Sequence, residues 1–180
     1  MKKILSLALF SGILLMSVNA NAQHDSKKPE DKSKRPSPPA TASATISSGA
    51  LIKIDYSQPS IKGREIGTSV EPNKDSVWRT GANEATVFEV NKDVTIDGKP
   101  LKAGKYGLFT IWHGDTWTII FNNTWDQWGA FTYNQSKDAL RVDVKNMPPS
   151  SSSEKMTFTV GKDGKVSLAW GNVGFNFMVM

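Results

Sequence analysis

The sequence predicts an all-β domain, a single antiparallel two-sheet sandwich or jelly roll, and three observations carry that prediction. Six clear runs alternate apolar and polar residues with a period of two, the mark of half-buried strands. Turn chemistry separates the runs at roughly 10-residue spacing. No stretch of ten residues shows the apolar period of a helix, which argues against a βαβ architecture.

Taken in order, the chain opens on a segment that reads as export machinery. Lys2 and Lys3 form a basic start, residues 4–18 are apolar or small, and Ala20-Asn21-Ala22 supplies a small-x-small pattern. Residues 1–22 therefore read as a signal peptide cleaved between Ala22 and Gln23. The apolar core is 15 residues long, short of the roughly 20 needed to span a bilayer. No cysteine is present to take a lipid anchor. The expected location is outside the cytoplasm, periplasmic or extracellular, without lipoprotein character and without a transmembrane segment after cleavage.

Residues 23–40, QHDSKKPEDKSKRPSPPA, hold alanine as their one apolar residue type and carry four prolines. Such composition offsets little ordering entropy, so the segment is expected to be a disordered tether, stiffened by its prolines. The domain is then expected over residues 41–180. In residues 51–56, Ile52, Ile54 and Tyr56 face one way and Lys53 and Asp55 the other. Thr86, Phe88 and Val90 repeat the pattern, as do Trp117, Ile119 and Phe121, then Leu140, Val142 and Val144. Met156, Phe158 and Val160 alternate with threonines, and Val166, Leu168 and Trp170 close the set. Asp97-Gly98, His113-Gly114-Asp115 and the run from Gly161 to Gly164 supply hairpin turns.

Composition excludes several classes of function. The chain has no cysteine, so thiol nucleophiles, thiolate metal sites and disulfide staples are absent and the domain must rest on apolar packing. The net charge of +5 disperses on inspection: residues 41–180 hold 15 basic and 14 acidic side chains, interspersed. That argues against nucleic acid as a partner. Two histidines, His24 and His113, leave no multi-histidine metal centre in the domain. No cofactor motif, GxSxG elbow or phosphate-cradling loop is present. No catalytic residue is assigned.

Two groups of residues are candidates for a ligand. The segment VWRTGANEAT packs Trp78, Arg79, Asn83 and Glu84 around Gly81, with Arg64 just after a bend at Gly63. Arginine can clamp a carboxylate in a bidentate fork and asparagine offers both donors and acceptors. Arg79 and Glu84 are expected to face a shallow polar depression floored by Trp78, at one end of the sandwich. An Arg79–Glu84 pair that merely closes the loop is the plainer alternative. The second group is Trp125 and Trp128, in a polar, turn-like stretch suited to stacking on sugar rings, although tryptophan is more often buried.

In order along the chain, RPSPPA, YSQPSIKGR, VWRTGANEAT, AGKYGLFTI and QWGAF resemble the family of exported bacterial proteins known as DUF2911, common in Bacteroidota. The resemblance implies an extracytoplasmic β-sandwich and no catalytic residues. The chain departs from the family pattern at residues 67–76, which are unusually polar, and at Trp112-His113, where Pro-Gly is common. In such a cell Asp75-Ser76-Val77 fits an O-glycosylation pattern at Ser76. The expected function is a non-catalytic envelope or periplasmic binding module for a glycan or peptide. A carboxylate-dependent, glycosidase-like hydrolase and a structural or assembly protein stay open as alternatives.

Overall fold

A computed structural model describes residues 30–180. The expected leader, its cleavage point between Ala22 and Gln23, and residues 23–29 of the expected tether lie outside the described residues. Twelve strands run through the described residues. They are β1 (Pro39–Thr45), β2 (Leu51–Ser57), β3 (Val77–Trp78), β4 (Thr86–Val90), β5 (Val94–Ile96) and β6 (Lys99–Leu101). The second half holds β7 (Gly104–Trp112), β8 (Thr116–Asn122), β9 (Asp138–Lys145), β10 (Ser153–Val160), β11 (Lys165–Gly171) and β12 (Val173–Met178).

Every strand pair is antiparallel. One sheet runs β1-β2-β4-β7-β8-β9, with the short β3 pairing β7 beyond the end of β4. The second layer is β10-β11-β12. The β5–β6 hairpin extends it, because Ile96 bridges Val179 and Thr95 and Met180 exchange backbone bonds of 2.7 and 3.0 Å. Asp97-Gly98 makes that hairpin with two positive φ angles, the primed-turn geometry this dipeptide favours.

The alternating residues meet between the layers. Ile52, Ile54, Phe88, Leu108, Trp117, Ile119 and Phe121 from the first sheet bury against Met156, Val166, Trp170, Phe175 and Phe177 from the second. Rings interlock edge to face, with Phe88–Phe121 centroids at 5.0 Å and Trp117–Phe175 at 5.3 Å. Each fully buried apolar side chain contributes about 1.5–3 kcal/mol, which is how a chain without cysteine holds its sandwich. Strand β12 alternates over its second half, with Phe175 and Phe177 buried and Asn176 and Met178 half-buried, while Val173 and Gly174 at its start are both buried. It lies between β11 and the β5 hairpin, and the buried Gly174 interrupts the pattern at its start.

The tether expected over residues 23–40 ends earlier than its composition implies. Lys32–Lys34 forms a 3-10 turn capped by Asp31, and β1 begins at Pro39, with Ala40 and Ala42 packed against the core. The segment has too little apolar surface to order itself. It is ordered by what it lands on: the free edge of β2 and the partners of Arg35 described below.

Candidate functional site

The segment from Val77 to Thr86 is a turn held rigid from beneath. Val77 and Trp78 pair with Ile111 and Thr110 of β7. The chain then reverses through Thr80 and Asn83, both with positive φ. The Trp78 indole donates to the Gly81 carbonyl at 3.0 Å. Thr86 Oγ1 donates to the Thr80 carbonyl at 2.7 Å, and Thr80 Oγ1 to Thr110 Oγ1 at 3.1 Å. Trp78, Thr80, Thr86 and Thr110 are all buried. At Gly81 a Cβ would sit 2.9 Å from Thr86 Oγ1, so only glycine fits.

Arg79 and Glu84 leave this turn in different directions, which corrects the expectation that they share a depression. Positive φ at two of the intervening residues turns the chain between them. Arg79 points to Glu71, with Nη1 donating to Oε2 at 2.8 Å. Beside that pair lies a depression of about 240 Å³, lined by Arg64, Glu71, Trp78, Arg79, Trp170 and Ser37 among others. Its walls are pinned: Trp170 Nε1 donates to the Glu71 carbonyl at 2.8 Å, and Arg64 donates from Nε and Nη2 to the carbonyls of Ile61 and Ser60. Arg79 Nε is buried without a hydrogen-bond partner among the described residues.

Glu84 takes Lys32 and Arg35 of the N-terminal segment, each at 2.8 Å. Its partial burial works to raise the pKa, but hydrogen bonds from Lys32, its own backbone and Arg35 outweigh that and hold the carboxyl at about 2. The Arg35 guanidinium also lies 5.7 Å over the Trp128 ring, and the Asn83 amide donates to the Ser37 carbonyl at 3.0 Å. Residues 31–38 thus form a strap across the turn.

The loop of residues 123–134 covers the outer face of the larger sheet. Beneath it, Asp138 accepts from Tyr133 Oη, Arg141 Nε and Asn122 Nδ2, all at 2.7 Å. Burial first, then the Asp138 carboxylate, pushes the Tyr133 phenol up to about 12, with Arg141 opposing. Above that network the loop displays Trp125, Trp128 and Phe131, exposed at 39%, 55% and 86%. Lys105 lies 5.3 Å over the Trp125 ring.

A model of protein of unknown function DUF2911 matches residues 37–179. The chain belongs to that family. No curated protein and no solved structure matches. The match begins at Ser37, inside the ordered strap, so the family's domain includes part of the segment whose composition suggests a tether.

Within this DUF2911 domain, sequence reasoning brought Arg64, Trp78 and Arg79 to one depression and Trp125 and Trp128 to one exposed loop. It missed Glu71, Trp170 and Ser37 at the first site. Glu71 sits in a polar stretch with no periodicity, and Trp170 belongs to an alternating core run; neither carries a local signal. Ser76 is exposed, while the neighbouring Asp75 carboxylate lies 2.6 Å from His113 Nδ1. His113 Nε2 is 3.3 Å from Thr118 Oγ1, which donates to Asp143 at 2.6 Å. Among the described residues no group of three acidic or histidine side chains is placed to hold a metal, and no helix is long and apolar enough to cross a membrane.

Proposed function

We propose that this domain is a non-catalytic binding module of the cell envelope, exported through its leader and working in the periplasm or outside the cell. Its ligand is a glycan or a peptide, and the loop of residues 123–134 favours the glycan. The observation that supports this is the exposure of Trp125, Trp128 and Phe131. Trp78, Trp117 and Trp170, by contrast, are fully buried. Exposed large aromatics grouped on one element call for a partner. A planar indole face suits the C–H face of a pyranose ring, and the exposed Asp126 carboxylate on the same loop supplies acceptors for hydroxyls.

The test is a tryptophan fluorescence titration against a panel of envelope glycans and peptides. A saturable change with a glycan is expected, lost by tenfold or more in Trp128→Ala, of the size of a removed interface anchor. The melting temperature of that variant should stay close to the parent's. A flat response across the panel, or the same affinity in Trp128→Ala and Trp125→Ala, overturns the proposal. Export is checked separately by the mass of the protein from a periplasmic fraction, expected to begin at Gln23.

A further inference from the structure

We infer that the depression between Arg64 and Arg79 is a binding site for a small organic carboxylate, separate from the aromatic loop. The argument starts from the guanidinium of Arg79. That side chain is 23% exposed, so it carries a permanent charge largely out of water. Only one of its nitrogens, Nη1, has an acceptor among the described residues, the Glu71 carboxylate. The opposite edge, formed by Nε and Nη2, has none. Two parallel N–H groups on one edge are the half of a bidentate fork that a carboxylate completes. Nε is buried and has no acceptor among the described residues, a donor that carries a desolvation penalty; a carboxylate in the depression relieves it once the guanidinium turns towards that space.

Charge and shape narrow the ligand. Arg64, Arg79 and Glu71 are the charged residues lining the depression, which leaves one net positive charge. That balance suits a monoanion better than a phosphate dianion. The volume of about 240 Å³ holds a small acid or the acidic end of a larger molecule, being below the usual range for whole drug-sized ligands. The hydroxyl-bearing Ser37 and Ser69 line the same space and can serve a ligand's remaining acceptors. The site is also preorganised. Trp78 and Trp170 are buried walls whose indole N–H groups are already bonded to backbone, and Arg64 is tied to two carbonyls.

The experiment follows the Arg79 Nε–H resonance of the purified protein by NMR during titration. The probes are N-acetylglycine, glucuronate, N-acetylglycine methyl ester and inorganic phosphate. A saturable shift is expected with one or both carboxylates and none with the ester; the tighter of the two carboxylates identifies a peptide terminus or an acidic sugar as the source. Followed by tryptophan fluorescence in a Trp125→Phe, Trp128→Phe background, affinity should fall about tenfold in Arg79→Lys, which keeps the charge and loses the fork. Should that variant fail to fold, Arg64→Gln at an exposed position takes its place, with a loss of about threefold expected from removing one peripheral charge. No saturable shift with either carboxylate, an equal response to the ester, tighter binding of phosphate, or unchanged affinity in the folded variants overturns the inference. None of these outcomes depends on Trp125 or Trp128, so failure here and failure of the glycan titration are distinguishable.

Discussion

Two arginines flank the same turn and do opposite work. Arg35 is used up: its side chain is 11% exposed, one nitrogen meets Glu84 at 2.8 Å, and its guanidinium carbon lies 5.7 Å from the Trp128 ring centroid. Arg79 has a single bonded nitrogen and a buried Nε with no acceptor among the described residues. Both are paired with a glutamate at 2.8 Å. The ion pair alone therefore does not separate a structural arginine from one with spare chemistry; the accounting of the remaining donors does. The Arg35 side closes the turn against the chain's own N-terminal segment, and the Arg79 side opens onto a depression.

The comparison fails as a whole if the turn itself gives way, and the largest effect is expected there. Gly81→Ala places a Cβ 2.9 Å from Thr86 Oγ1 and 3.2 Å from the Ser57 carbonyl. Urea denaturation should show a loss of about 2 kcal/mol, the usual range for overpacking; a loss under about 0.5 kcal/mol would mean that the turn shifts freely, since that is the scatter of neutral surface changes. Arg35→Ala should come next, at about 1–2 kcal/mol, because it strips a charged hydrogen bond from Glu84 and leaves Lys32 alone. An unchanged melt in that variant would make the strap ornamental.

Acid sharpens the contrast. Glu84 is held at about 2 against an ordinary 4.5, so the folded state favours its charged form. The stability it contributes is fully present above pH 4.5 and is lost as pH falls from there towards 2. With the carboxylate 37% exposed, screening limits this to about 1 kcal/mol. Glu84→Gln should flatten that part of the stability profile; a profile as steep as the parent's would assign the loss to other carboxylates. The smallest effect is expected from Arg79→Lys, under about 1 kcal/mol, since the lysine keeps the charge and can still meet Glu71, whose side chain is 36% exposed. A drop of more than about 2 kcal/mol, the scale of a buried pair broken, would return Arg79 to a purely structural role.

How much of this was legible in the sequence depended on whether the information was local. Asp97-Gly98 specified its hairpin with two residues, and Ile52, Ile54 and Tyr56 declared a buried face by spacing alone. Strand β12 was hard to read, because Gly174 interrupts the pattern and Asn176 alone is polar on its half-exposed face. Strand β1 was hidden for another reason: its alanines, threonines and serine have too little contrast between faces. The polar density of residues 77–86 correctly marked a special turn. It could not say that Arg79 and Glu84 diverge, because that depends on φ at Thr80 and Asn83. Nor could it name Glu71 and Trp170, which reach the depression from elsewhere in the chain. Trp125 and Trp128 were picked out because they stand off the alternating pattern, and the same departure from period leaves them exposed.

The pairing of residues 95–97 with residues 178–180 has a consequence in time. The second layer is finished by two segments some 80 positions apart, and the core faces of β2 and β4 pack against strands that come much later in the chain, β10 to β12. Long-range pairings of this kind make folding slow, on the order of milliseconds to seconds. Stopped-flow refolding completed within microseconds would contradict that. A chain that cannot close its core until residue 178 is available leaves the apolar face of its larger sheet uncovered until then.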